Sequence, residues 1–204
     1  MSGGNLFVIA APSGAGKTSL VQALMAADPR LRFSVSHTTR RPRPGEENGR
    51  DYHFIDEDAF RRMVSECAFL EHAEVFGRCY GTSRAAVEER LAAGEDVILE
   101  IDWQGARQIR ALMPACISIF ILPPSRGELE RRLRGRATDS PDVIEQRLAL
   151  AVAEMRHYGE FEYLVVNDRF DEALTDLQAI VRAARCRTDR QADFRSAWLN
   201  DLLA

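Results

Sequence analysis

Residues Pro12-Ser13-Gly14-Ala15-Gly16-Lys17-Thr18-Ser19 stand between a short apolar run, Asn5 to Ala11, and a segment with Leu20, Val21, Leu24 and Met25 at helical spacing. A strand, a glycine-rich loop and a helix in that order are the setting of a phosphate-binding loop. Gly14 and Gly16 let backbone N–H groups curl around phosphate oxygens, and the helix N-terminus adds its partial positive charge. Lys17 is then expected to reach the terminal phosphates and Thr18 to offer its hydroxyl to Mg2+. The pattern Gly-x-x-x-x-Gly-Lys-Ser/Thr has Ala11 at its first position, a small residue at the end of the strand.

The cations sharpen this reading, because the chain carries 26 Arg and one Lys, and that Lys is Lys17. A genome-wide preference for Arg accounts for the 26. It does not account for the exception. At an exposed site either cation serves, whereas a compact ammonium and a planar guanidinium fork are not interchangeable against phosphate in a tight loop.

Farther along, Ser36-His37-Thr38-Thr39-Arg40-Arg41-Pro42-Arg43-Pro44-Gly45-Glu46 and Gly49-Arg50-Asp51-Tyr52-His53-Phe54 gather Arg, hydroxyls and turn formers into one stretch. Arg forks match phosphate geometry bidentately, so this is a candidate anion site on a loop. A solvated basic loop has the same composition. A third string, Phe69-Leu70-Glu71-His72-Ala73-Glu74-Val75, leads through Tyr80-Gly81-Thr82, read as strand-like residues bearing a carboxylate and then a turn.

Taken together, the phosphate loop, Ser-Val-Ser-x-Thr-Thr-Arg-x-Pro-Arg-x-Gly-Glu and Gly-x-Asp-Tyr-x-Phe resemble guanylate kinase from the first strand to Asn167. The resemblance implies an α/β fold: a phosphate-loop NTPase-like parallel-sheet core, an inserted small mixed α/β domain for the nucleoside monophosphate, and a helical lid. Its boundaries would be core at 1–32, 84–123 and 156–204, insertion at 33–83 and lid at 124–155. It implies that Ser13 to Ser19 bind ATP, with Asn167 near the adenine. Arg40, Arg43, Tyr52 and Tyr80 would grip the acceptor phosphate. Ser36, Glu71 and Thr82 would read guanine, and the chemistry agrees. Guanine presents a ring N–H beside an exocyclic amine, and one carboxylate can accept from both, whereas adenine has no ring N–H there.

Val97 to Gly105 reads as a buried strand ending in Glu100 and Asp102, acids on the ligand side of an open α/β sheet. Residues two apart on a strand share a face, so both are expected to point together. Asp102, and less directly Glu100, would order Mg2+ waters or contact the acceptor; capping of the next helix is the competing role. Cys116 to Leu122 and Glu162 to Asp168 read as further core strands. Between them lies the lid, where the resemblance assigns Arg132, Arg136 and Arg147 to the ATP phosphates and the transferring group. Arg132 and Arg136 would share a face of a continuing helix. Ala137 replaces the family's usual Gly. Ser140-Pro141 starts a helix with Ile144, Leu148, Ala151 and Met155 on its apolar face.

These elements belong to a chain with the composition to build a core: 204 residues, 46% hydrophobic, with only 8 Pro and 13 Gly. A net charge of −4 argues against a nucleic-acid-coating role; the ligands that the resemblance implies are the small nucleotides ATP and GMP or dGMP, with Mg2+. The best apolar run, Ala115 to Leu122, is strand-sized and carries Ser118, and no membrane partner is expected. Cys67, Cys79, Cys116 and Cys186 stand too far apart for a zinc motif and suggest reduced thiols in the cytoplasm. His37, His53, His72 and His157 receive no catalytic role, since a phosphate acceptor is already ionised at neutral pH. The tail, with Phe194, Trp198, Leu199, Leu202 and Leu203 at helical spacing, suits packing on the core or on a second subunit, leaving monomer and homo-oligomer both open. Two other readings share the motifs: a non-catalytic guanylate-kinase-like binding module, and a related sugar-phosphate kinase.

Overall fold

The structure, a computed structural model, describes residues 3–75, 77–135 and 141–204. Strand β1 (Leu6–Ala10) runs into helix α1 (Lys17–Ala27). Then come β2 (Leu31–Phe33), β3 (His37–Thr38), β4 (His53–Phe54), α2 (Glu57–Ser65), β5 (Phe69–Val75), β6 (Arg78–Ser83) and α3 (Arg84–Ala92). The chain continues through β7 (Asp96–Glu100), α4 (Trp103–Leu112), β8 (Ile117–Leu122), α5 (Arg126–Arg134) and α6 (Pro141–Met155). A 3-10 turn (Arg156–Glu160), β9 (Tyr163–Val166), α7 (Phe170–Arg185), α8 (Thr188–Phe194) and α9 (Ser196–Leu203) follow.

Among the described residues five strands form a parallel sheet in the order β2-β7-β1-β8-β9. All five residues of central β1 are buried, as a strand covered on both faces requires. Alternation divides them: Phe7 and Ile9 pack with Leu20 and Leu24 of α1 and Leu177 and Val181 of α7, while Leu6, Val8 and Ala10 pack with Val87 of α3 and Ala106 and Ile109 of α4. Ala11 packs against the first of these clusters, so a methyl fits where the motif's first glycine is usual. The expected α/β core with a second, mixed sheet is the fold that forms.

That second sheet has the order β4-β3-β6-β5, with β3 and β4 parallel and the other pairs antiparallel. Tyr80-Gly81-Thr82 lies inside β6 rather than at a turn. Gly81 pairs with His37 on one side and His72 on the other, and backbone pairing on both edges overrides glycine's preference for turns. Helices α5 and α6 share a small core of Leu129, Leu133, Ile144, Leu148 and Ala151, with Met155 against it, which bears out the apolar face expected of α6. The lid expectations for Arg136, Ala137 and Ser140 fall outside the described residues. The tail helices leave Phe194 76% and Leu203 81% exposed, so these side chains do not pack on the chain's own core. No helix among the described residues is long and apolar enough to cross a membrane.

Candidate active site

The phosphate loop emerges from the buried C-terminal end of β1 and closes into α1 at Gly16, whose φ of 91° is left-handed backbone that glycine adopts without strain. A Cβ there would collide with the Asn167 amide. That amide, 5% exposed, donates through Nδ2 to the Ala15 carbonyl at 2.8 Å, so Asn167 braces the loop from the end of β9. Lys17, the first residue of α1, donates from Nζ to the Ile101 carbonyl at 2.8 Å. Ser13 N–H donates to Glu154 Oε2 of α6 at 3.1 Å, tying the loop to that helix, and Ser19 is exposed in the first turn of α1.

The two acids after β1's neighbour strand separate. Glu100 ends β7, and Thr18 Oγ1 donates to its Oε1 at 2.5 Å. Asp102 lies beyond the strand and caps α4, accepting from Gly105 N–H at 2.8 Å. The alternation that would have paired the two side chains stops with the strand, so the carboxylate beside Thr18 is Glu100. A hydroxyl and a carboxylate meeting at an exposed position make a hard oxygen donor set that suits Mg2+, which binds one or two protein oxygens and completes its shell with phosphates and water. Among the described residues no group of three or more His, Cys, Asp or Glu forms a protein-only cage.

In the second sheet and the loop beside it, Arg40 crosses Tyr52 with its guanidinium 5.2 Å from the ring centroid, and Tyr52 meets Tyr80 edge-on at 6.0 Å. The Arg40 fork donates to both Glu46 oxygens at 2.9 and 2.8 Å, and Arg43 N–H donates to the same carboxylate at 2.7 Å. This pairing holds the Glu46 carboxyl below its ordinary range and brings Arg40 and the Arg43 backbone onto one acid. Burial, and then the charge of Glu100, push the Tyr52 phenol up.

Glu71 of β5 is 3% exposed, and Thr82 Oγ1, itself buried, donates to its Oε1 at 2.6 Å. Burial raises this carboxyl to about 7; the Thr82 hydrogen bond opposes the rise and the nearby Asp102 charge adds to it. Ser36 is buried between β2 and β3, in the stretch that leads into the Arg40 loop. On α5, each nitrogen of the Arg132 guanidinium has a partner: Nε with Glu128 at 2.7 Å, Nη1 with the Ala15 carbonyl at 3.3 Å and Nη2 with the Asn167 carbonyl at 3.0 Å. Arg147 is half-buried on α6, and Arg136 lies outside the described residues.

Comparison with known proteins meets this geometry. A model of the guanylate kinase family matches residues 3–184. The chain belongs to the guanylate kinase family. It is 61% identical to a guanylate kinase of Alkalilimnicola ehrlichii over 98% of each chain, and 59% identical to a guanylate kinase of Escherichia coli K12 over the whole of both. The crystal structure of guanylate kinase from Anaplasma phagocytophilum superposes with a TM-score of 0.78 at 35% identity, covering 93% of this chain and 90% of that one.

In this guanylate kinase family member the histidines are packed or paired. His37 stacks on His53 at 4.6 Å, and His157 stacks on Trp103 at 3.6 Å while sharing Glu160 with Arg107. Burial, then His53, lowers the His37 imidazole, favouring its neutral form. Three residues at the site had no role in the sequence reading. Glu154 bonds the loop, and burial raises its carboxyl despite the pull of Ser13 N–H and Lys17. Its sequence signal is a lone acid in the apolar run Leu148 to Met155. Glu46 and Glu128 hold the Arg forks; both stand within six residues of their partners, yet an acid near an Arg is too common to single out.

Proposed function

We infer that this chain transfers the γ-phosphoryl group of ATP to the phosphate of GMP or dGMP, giving ADP and GDP or dGDP. As a member of the guanylate kinase family it is a nucleoside monophosphate kinase. The observation that carries the reading is a glycine loop bearing Lys17 and Thr18 in one chain with a buried carboxylate–hydroxyl pair, Glu71 and Thr82. A kinase for sugar phosphates has no use for such a pair, and a binding module has none for Lys17 and Thr18.

The acceptor is a phosphate monoester with a second ionisation near about 6, so its attacking oxygen is unprotonated at neutral pH and no general base is needed. The problem is to align two polyanions, and positioning with charge neutralisation must supply the rate. Ser13 to Ser19 cradle the ATP phosphates, and Lys17 exchanges its contact with the Ile101 carbonyl for the terminal phosphates. Thr18, with Glu100 beside it and Asp102 through water, would hold Mg2+, which when bound neutralises phosphate charge. Arg40, Arg43, Tyr52 and Tyr80 grip the GMP phosphate, Arg40 exchanging Glu46 for it. Glu71 accepts from the guanine ring N–H and amine, while Thr82 and Ser36 complete the base site.

Arg132, Arg136 and Arg147 come onto the transferring group as the lid closes and expels water, which suppresses hydrolysis of ATP before GMP arrives. Arg132 leaves the Ala15 and Asn167 carbonyls in doing so, and Asn167 continues toward the adenine side. The division of labour is core at 1–32, 84–123 and 156–204, GMP-binding insertion at 33–83 and lid at 124–155. We place the reaction in the cytoplasm, where both nucleotides and reduced thiols are found.

The test is ADP formation from Mg-ATP with GMP, AMP, CMP and UMP in parallel, with a no-acceptor control and Lys17→Ala. GMP-dependent turnover that falls roughly a hundredfold or more in the mutant is expected. Folded protein that no nucleotide stimulates would refute the reading and send the search to phosphopeptides and ribose phosphates.

A further inference from the structure

The Glu71 carboxylate does not sit on its own sheet alone. Strand β5 is the edge of the second sheet, and its register with β6 shifts between Phe69 and Glu71. Such an irregularity re-aims a side chain. Here Phe69, Leu70 and Glu71 are buried in succession, so alternation is broken just where the carboxylate stands. Leu70 joins the core cluster that contains Ala106 and Ile109 of α4, and Glu71 is turned against the first turn of the same helix.

Two residues of α4 meet it there. Gly105 is buried, and its N–H donates to the capping Asp102. A Cβ built on Gly105 would overlap Glu71 Oε2 and lie 3.0 Å from Glu71 Cδ. The backbone at Gly105 is ordinary right-handed helix, where alanine is favoured over glycine. The glycine therefore has a spatial reason: the carboxylate occupies the place of its side chain. One turn on, Gln108 Nε2 donates to the His72 carbonyl at 2.8 Å, and its Oε1 accepts from His72 N–H at 3.1 Å. One side-chain amide thus completes both backbone groups of the residue next to Glu71, as a neighbouring strand would.

We propose that Gly105 and Gln108 are positioning residues for guanine specificity, holding the Glu71 carboxylate against helix α4 in the one place where it can accept from both guanine donors. The proposal rests on Glu71 as the guanine reader. Neither residue touches the base; Gly105 acts by leaving room and Gln108 by clamping the strand. A carboxylate fixed in this way separates GMP from IMP, whose hypoxanthine keeps the ring N–H and lacks the amine. A carboxylate pushed off its seat loses the second hydrogen bond first, and the distinction goes with it.

The experiment measures kcat and KM for GMP, IMP and ATP in the full chain, the wild type beside Gly105→Ala, Gln108→Ala, Glu71→Asp and the Gly105→Ala/Glu71→Asp pair. Gly105→Ala is expected to raise the KM for GMP roughly tenfold or more and to lower the GMP-over-IMP preference by a similar factor, with the KM for ATP unchanged. Gln108→Ala should move the same two quantities in the same direction, about threefold, without loss of folding. Glu71→Asp lowers the preference by itself but should recover part of it in the Gly105→Ala background, because the shorter side chain retreats from the added methyl. An unchanged GMP-over-IMP preference in Gly105→Ala overturns the proposal, as does an equal rise in the KM for ATP. Should Gly105→Ala not fold, Gln108→Ala decides, and a wild-type preference there overturns it. Wild-type protein that does not use GMP at all is a different result, the failure of the functional reading itself.

Discussion

Replacing Glu71 by Gln keeps the side chain's size and removes its charge, and it should move folding and GMP use in opposite directions. In the folded empty protein burial raises this carboxyl from 4.5 to about 7, so the native state holds a proton that the unfolded chain has lost between those values. Stability from this group therefore falls as pH rises from about 4.5, and the penalty is complete above 7. Each tenfold in proton affinity corresponds to about 1.4 kcal/mol, which makes the ionised carboxylate at pH 8 unfavourable by up to roughly 3 kcal/mol. Gln carries no such penalty and still accepts from Thr82. Urea unfolding of the empty protein should show Glu71→Gln gaining on the wild type from pH 5 to pH 8. The amide, however, turns one acceptor into a donor facing a guanine N–H, a loss of about 2–4 kcal/mol, or roughly 30- to 1,000-fold in kcat/KM for GMP. The KM for ATP should not change. A stability difference that is flat with pH would refute the burial argument, and unchanged GMP kinetics would refute the guanine assignment.

The same carboxyl predicts that wild-type KM for GMP rises as pH falls below about 7, since a protonated Glu71 no longer accepts from both donors; kinetics from pH 5.5 to 8 check this, and a flat profile contradicts it. Gly16→Ala places a methyl at φ 91° against the Asn167 amide and should abolish saturable ATP binding by calorimetry while the far-UV circular dichroism is kept. Arg185 of α7 pairs with Asp28 and, at 2.6 Å, with Asp96, at the end of the sheet opposite the phosphate loop. Arg185→Met leaves Asp96 without its cation and Asp28 with Arg30 alone, and should destabilise the protein by about 3 kcal/mol in urea, with kcat for GMP unchanged. Burial works against ionisation of Asp28, but Arg185 and Arg30 hold its carboxyl at about 2, so this stability is present above about 4 and lost as pH falls toward 2. Arg185→Met should flatten that acid limb, and an unaltered limb would place the acid sensitivity elsewhere.

Much of the site was legible because its chemistry is local. The phosphate loop is a run of eight residues whose strand, glycines and sole lysine each have a physical reason at their own position, and the structure sets a buried strand before it and a helix after Gly16. The core strands could be read from apolar runs, since a strand covered on both faces must be apolar throughout. The Arg40 stretch and the Glu71 and Thr82 pair were found as residue types in characteristic strings, and β5 and β6 bring that pair together by ordinary antiparallel pairing.

Tertiary structure decided which partner each group has. Thr18 meets Glu100 across 82 residues and Ala15 meets Asn167 across 152, separations over which no periodicity carries information. Alternation suggested that Glu100 and Asp102 act together, but it holds only while the strand lasts, and β7 ends between them. The turn expected at Gly81 became a strand because neighbours on both sides took up its backbone groups. The sequence by itself determined which chemical groups the protein has and the short-range elements that carry them. The packing of β5 against α4, which buries Glu71 and raises its proton affinity, arises only when distant segments exclude water from one another, and a solvent environment is a property of the fold rather than of any residue.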